Sequence, residues 1–199
     1  MIKAVVFDLG EVLSSPPSLM PTLAQRIGVS EAELNQHYWN GRQAYDGGSS
    51  DADYWLPLLG ALGIDGDDAL AVELGTLDSS IWVGIRASAE ALLMDCQRAG
   101  HIVAVLSNAP RVMFDAVEGA PWRRYVDHLF VSGVLGHVKP EPEIYHLVTG
   151  ELGPEPSEIA FIDDKPANVQ AAVDAGWAGH VWVDDADTRV WLQQIGALS

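Results

Sequence analysis

The sequence predicts an α/β fold, a mostly parallel sheet flanked by helices, and three observations carry that prediction. Short β-branched and aromatic runs recur along the chain, helical patterns separate them, and 48% of the residues are hydrophobic against 20% charged. Buried parallel strands read as short continuous apolar runs, and their alternation with amphipathic helices is the pattern of an α/β layer. The first strand is Lys3–Phe7, closed by the polar and glycine residues that follow. Residues 14–84 then break the rhythm. Leu19–Ile27, Glu31–Asn40, Ala52–Leu62 and Asp68–Leu74 all carry helical spacing, with no strand among them. Pro16-Pro17 and Pro21 mark the way into this segment, Gly47-Gly48-Ser49-Ser50 a loop inside it, and Ser79–Gly84 the way out. Strands resume at Ile102–Leu106, His128–Val131, Ile159–Ile162 and His180–Val183. The helices of this half are Ala87–Arg98, Arg111–Glu118, Glu143–Leu152, Ala167–Ala175 and Asp187–Ile195. The division that follows is a core of residues 1–13 and 85–199, with 14–84 inserted as a small helical module.

A chain of 199 residues allows one domain, or one with an insert. Eleven Lys and Arg face 28 Asp and Glu, a formal net charge of −17. Such a chain repels phosphate backbones and anionic lipid, so neither nucleic acid nor a membrane is expected as a partner. A single cysteine, Cys96, excludes an intrachain disulfide and a multi-cysteine zinc site, and its apolar helical setting marks it as a core residue. The start of the chain runs into Asp8 too soon for a secretory signal, and no apolar run reaches the ~20 residues a membrane span needs. A cytoplasmic protein, monomer or homodimer, is the expectation.

Parallel α/β sheets bind ligands beyond the carboxyl ends of their strands. Those positions hold Asp8, Ser107-Asn108, Asp163-Asp164 and, after the His128–Val131 strand, Lys139. Carboxylates there suit Mg²⁺, which takes hard oxygen ligands. Ser, Asn and Lys donors suit a phosphoryl oxygen, and an ionised Asp is also a nucleophile. Taken singly, each residue has a plain structural use as a turn former, a helix cap or a surface charge. Their gathering at one sheet edge is what points to chemistry.

Four segments carry a family resemblance. Val5-Val6-Phe7-Asp8-Leu9-Gly10-Glu11-Val12-Leu13 resembles the first motif of the haloacid dehalogenase superfamily, and Leu106-Ser107-Asn108 its second. Val138-Lys139-Pro140-Glu141-Pro142-Glu143-Ile144-Tyr145 is similar to the third, and Phe161-Ile162-Asp163-Asp164 with Asn168-Val169 to the fourth. The resemblance implies a Rossmann-like core with a helical cap after strand one, in agreement with the break in rhythm. It implies a Mg²⁺-dependent phosphatase that acts on a small phosphorylated metabolite through an aspartyl-phosphate at Asp8. Ser107 and Asn108 would bind the phosphoryl group and Lys139 would balance charge. Mg²⁺ would be held by Asp8, the Gly10 carbonyl and Asp164, with Asp163 a direct or water-mediated ligand. A cap stretch, Trp39–Gly47, also resembles capped members, and would turn Arg42 to the substrate.

The departure is Gly10, where family phosphatases usually carry a second Asp as general acid and base. Glycine keeps the carbonyl ligand but transfers no proton, and Glu11 is the neighbouring carboxylate. General acid–base help is worth ~10²–10⁴-fold. Two other readings therefore stand beside the phosphatase. One is a 2-haloacid dehalogenase, which the paired Asp163-Asp164 disfavours; the other is a catalytically impaired relative that binds a phosphorylated ligand. Lys165 reads as a surface charge, Trp39, Trp55 and Trp82 as core packing, and the six histidines show no metal spacing.

Overall fold

The computed structural model describes residues 1–199. Five strands form one all-parallel sheet: β1 (Ala4–Phe7), β2 (Ile102–Ser107), β3 (His128–Val131), β4 (Ile159–Asp163) and β5 (Ala178–Val181), in the order β3-β2-β1-β4-β5. The first strand is thus the central one. Every residue of β1 is buried, and its side chains alternate between two apolar layers. Val5 and Phe7 face the larger cluster, Ala4 and Val6 the smaller one with Ile144, Tyr145 and Phe161. Register sets the site. Phe7 lies opposite Val105 on one side and Ile162 on the other, which brings Asp8, Leu106 and Asp163 level at one edge.

Helices α1 (Leu19–Ile27), α2 (Glu31–Tyr38), α3 (Arg42–Asp46), α4 (Asp51–Ala61) and α5 (Asp68–Trp82) follow β1, and α6 (Ala87–Arg98) leads into β2. Their starts are written in the sequence. Ser30 with Glu33 and Ser50 with Asp53 form reciprocal capping boxes, and Asp67 caps α5 by accepting from Leu70 N at 2.9 Å. Beyond β2 come α7 (Val112–Glu118), α8 (Ser132–Leu135), α9 (Pro142–Leu152), α10 (Pro166–Asp174) and α11 (Asp185–Gln194). Proline opens both α9 and α10, where its missing N–H costs nothing. No helix is long and apolar enough to cross a membrane.

The two chain passages joining α1–α5 to the sheet are tied together. Ser14 Oγ donates to Gly84 O at 2.6 Å, Arg86 N to Leu13 O at 3.1 Å, and the Arg86 guanidinium to Val12 O. The same guanidinium pairs with Asp185 at 2.8 Å. The larger apolar cluster runs without a break from the sheet into α1, α2, α4 and α5, through Leu23, Leu34, Tyr38, Trp55 and Leu74.

Four elements differ most from expectation. Helix α5 continues past Leu74 to Trp82, so Ser79–Trp82 is helix rather than exit loop. Asp78 and Ser79 are polar yet both are buried, and Asp78 meets Arg42 and Tyr38 inside the helical segment. Helices α3 and α8 span too few residues to show a period. Strand β5 lies at Ala178–Val181 rather than His180–Val183; it is an edge strand, where pairing with β4 rather than burial decides the register.

Candidate active site

The ladder that carries β1 ends with Asp8 N donating to Ile162 O at 2.9 Å, and the chain then turns away. Leu9 N donates to Asp8 Oδ1 at 2.7 Å and so fixes the carboxylate's rotation. Lys139 Nζ lies 2.8 Å from the same oxygen, 2.6 Å from Asp163 Oδ2 and 2.9 Å from Leu106 O. Asp8 Oδ2 is left with no hydrogen bond to the protein. Lys139 is itself held by Asn108, whose Oδ1 accepts from Lys139 N and whose Nδ2 donates to Lys139 O, both at 2.8 Å. The Lys139–Pro140 peptide is cis.

Asp163 is buried with both oxygens engaged. Oδ1 accepts from Lys165 N at 2.8 Å and Asn168 Nδ2 at 2.9 Å, and Oδ2 from Lys139. Asn168 is pinned in turn, because its carbonyl accepts from the Tyr145 hydroxyl at 2.8 Å. Asp8, Gly10, Ser107, Asn108, Lys139 and Asp164 line one cavity of about 640 Å³, whereas Asp163 stands behind its wall.

The electrostatics follow from one ammonium among three carboxylates. Burial pushes Asp8 up to about 7; Lys139 opposes this, while Asp163 and Asp164 add to it. Burial works to lower Lys139, but Asp8 and Asp163 outweigh it and hold the ammonium above its ordinary value. Burial and the adjacent Asp163 also raise Asp164. Oxygen atoms of Asp8, Asp163 and Asp164 lie within 4.8 Å of one another. A hard divalent cation fits this donor set: Asp8 and Asp164 are carboxylates facing the cavity, and the Gly10 backbone adjoins them.

The opposite wall comes from the helical segment. Trp39, Arg42, Gln43 and Asp46, one face of α3 and the turn before it, line the cavity with Trp82 of α5. Arg42 is almost buried. Its Nε donates to Asp46 Oδ1 at 2.9 Å, and its NH1 to the Tyr38 hydroxyl at 2.6 Å and Asp78 Oδ2 at 3.0 Å. The rings of Tyr38, Tyr45 and Tyr54 surround the guanidinium at 5.1–5.8 Å. Of the three tryptophans expected in the core, Trp55 is fully buried, Trp82 is buried but reaches the cavity, and Trp39 is 56% exposed. Cys96 is buried, as expected.

Glu11 stands at φ 60, a left-handed conformation unusual for a side chain of its kind. Its carboxylate accepts from the Ser15 hydroxyl. Lys165 is exposed yet lines the cavity. His137, Glu141 and Glu143 form a second, surface group with metal-ligand character, which the chain spacing did not suggest. Sequence reasoning gave no role to Asp46 or Asn168. Asp46 sits four residues after Arg42 on one helix face, but α3 was not recognisable as a helix. Asn168 showed its use only once β4 and α10 were joined.

The family model described as a haloacid dehalogenase-like hydrolase matches residues 2–176. A D-ribitol-5-phosphate phosphatase from Bacteroides thetaiotaomicron is 27% identical over 98% of this chain and 97% of its own length. A sesquiterpene phosphatase from Aspergillus oryzae is 26% identical, over 97% of this chain and 96% of the relative. Among solved structures, a HAD-family enzyme from Bacteroides thetaiotaomicron in complex with magnesium and inorganic phosphate superposes with a TM-score of 0.73. The two are 24% identical, with 91% of this chain and 94% of that one covered.

Proposed function

The chain belongs to the haloacid dehalogenase-like hydrolases, and from that premise we propose that it is a Mg²⁺-dependent phosphatase for a small alkyl phosphate, with Asp8 as nucleophile. The observation that carries the reading is the arrangement around Asp8. One carboxylate oxygen is held by Leu9 N and Lys139 Nζ, the other is unbonded, and Ser107, Asp164 and Gly10 share its cavity. Asp8 Oδ2 attacks phosphorus, the bond to the leaving oxygen breaks, and an aspartyl-phosphate forms that water then hydrolyses. Ser107 Oγ offers a hydroxyl to a phosphoryl oxygen. Lys139 keeps Asp8 oriented and offsets its charge.

Asn108 acts through Lys139, whose main chain it holds. Asp163 likewise works through Lys139, Asn168 and Lys165, and its engaged oxygens leave the cation to Asp8, Asp164 and the Gly10 carbonyl. When bound, Mg²⁺ supplies positive charge at the transferring phosphoryl oxygens. It also answers the net charge of −17, which otherwise opposes an anionic substrate. A carboxylate substrate for dehalogenation meets Asp164 without that relief. The helical segment 14–84 acts as a cap, with Arg42 as its fixed cation over the cavity. The ribitol phosphate named for one relative supports the choice of an alkyl ester.

The test is turnover of a panel of phosphorylated metabolites with and without Mg²⁺, beside calorimetry of the metal. Asp8→Asn should abolish turnover, and Asp164→Asn should weaken Mg²⁺ binding at least about tenfold. Equal Mg²⁺ binding by wild type and Asp164→Asn would place the metal elsewhere. Turnover that persists in Asp8→Asn would remove the nucleophile assignment.

A further inference from the structure

The phosphatase reading leaves one proton without a carrier. An alkoxide leaving group must be protonated as its bond to phosphorus breaks, and Gly10 has no side chain for the purpose. Four carboxylates line the cavity: Asp8, Glu11, Asp46 and Asp164. Asp8 is the nucleophile in that reading and Asp164 a metal ligand. Glu11 is exposed and turned onto the Ser15 hydroxyl. Asp46 is the one that remains.

Its position is fixed from both sides. Asp46 O accepts from Ser132 Oγ at 2.5 Å, and Ser132 Oγ in turn accepts at 2.9 Å from Ala109 N, directly after Ser107-Asn108. The Val138 side chain, next to Lys139, lies within contact distance of where a Cβ on Gly47 would stand. The main chain of Asp46 is therefore tied to the loop that follows Ser107-Asn108, and Asp46 lines the same cavity as Asp8. One of its oxygens accepts from Arg42 Nε, and the other has no hydrogen bond to the protein.

Resting on the phosphatase reading, we propose that Asp46 is the proton donor to the leaving group and the acceptor of the water's proton, doing from α3 what position 10 cannot. In the first step the P–O bond to the alcohol breaks. Its electron pair stays on the leaving oxygen, which takes the proton of Asp46. In the second, the Asp46 carboxylate takes a proton from water as the water oxygen bonds to phosphorus. The P–Oδ2 bond then breaks, restoring Asp8 and releasing inorganic phosphate. Asp46 ends protonated, as it began.

The surroundings of Asp46 suit a group that changes charge in each cycle. Burial raises it to about 6; Arg42 of its own helix opposes this, Asp78 of α5 adds to it, and Lys165 beyond β4 opposes it. Tyr38 of α2 and Tyr54 of α4 close the cluster around Arg42. A donor near the working pH is the effective kind.

Two esters read the proposal on the full chain with Mg²⁺ present: p-nitrophenyl phosphate, whose leaving group departs without a proton, and glycerol phosphate, whose leaving group needs one. Asp46→Asn keeps an oxygen for Arg42 but loses the proton. It should lower the ratio of glycerol phosphate to p-nitrophenyl phosphate turnover by roughly 10²-fold. The kcat inflection near pH 6 for the alkyl ester should go with it. Gly10→Asp should restore alkyl turnover in the Asp46→Asn background. The Cβ it introduces has room, with the Trp82 ring 3.7 Å away.

Equal losses on both esters would make Asp46 only the partner that positions Arg42, and would overturn the proposal while leaving the phosphatase reading intact. So would a gain of about 10²-fold in alkyl turnover from Gly10→Asp in wild type, a result that needs no folded Asp46 variant. A wild type that hydrolyses neither ester nor any phosphorylated metabolite would overturn both.

Discussion

Lys139 has three N–H bonds and uses all of them within the protein, on Asp8, Asp163 and Leu106. An ammonium so committed acts as a fixed charge. Its value depends on where it is held, which makes Asn108 the residue to examine. The Asn108 amide closes a two-bond ring with the main chain of Lys139, so truncation unpairs one donor and one acceptor at once. Asn108→Ala should cost about 1–3 kcal/mol in urea unfolding and cut phosphatase turnover more than substrate binding. Asn108→Asp keeps the acceptor for Lys139 N but places a carboxylate against Lys139 O, and should be no better than alanine. A fall in affinity alone would instead give the Asn108 side chain a direct contact with substrate.

Helix α8 spans four residues, yet it joins the helical segment to the sheet. Ser132 bonds Asp46 and Ala109, and Gly133 brings its backbone against the Ala109–Arg111 loop that follows β2. A Cβ at Gly133 would stand 2.6 Å from Arg111 N and 2.9 Å from Ala109 O, both backbone atoms with little freedom to yield. Gly133→Ala should therefore destabilise by about 1–3 kcal/mol through overpacking, seen as a lower thermal midpoint, and should displace the Ser107–Ala109 turn. An unchanged midpoint would show that the loop yields. This contact also marks where sequence reading stops. Strand β3 and helix α6 match their expected bounds because an apolar run or an amphipathic period suffices to define them. Asp8, Ser107, Lys139 and Asp164 were legible because each stands at or beyond the carboxyl end of a strand, and parallel strands end together. Helices α3 and α8 were not, since a helix this short has no period and is made by what packs on it. The true end of α5 was hidden for a related reason. Asp78 looks like a surface residue until Arg42 and Tyr38, from other helices, are placed beside it. The commitment of Asn108 and Asp163 to other side chains is long-range information of the same kind.

Across the whole molecule, 28 acidic groups face 11 lysines and arginines, so compactness is opposed by the chain's own charge. Raising salt from about 0.01 M to about 0.15 M shortens the screening length from roughly 30 Å to roughly 8 Å. That change should raise the thermal midpoint by a few degrees, about what 1 kcal/mol yields at this size. A midpoint that falls with salt would mean that pairs such as Arg86–Asp185 outweigh the general repulsion. The order β3-β2-β1-β4-β5 has a consequence in time as well as in space. The central strand is translated long before either neighbour, with β2 beginning at Ile102 and β4 at Ile159. At about 5–20 residues per second, roughly 5–20 s pass between the synthesis of β1 and that of β2, its first available partner. Over that interval Val5, Val6 and Phe7 have no strand to pair with, while the capped helices α2 and α4 have their stop and start signals close at hand. On the ribosome, Ala4–Phe7 stays an unpaired apolar strand until Ile102–Ser107 has been made.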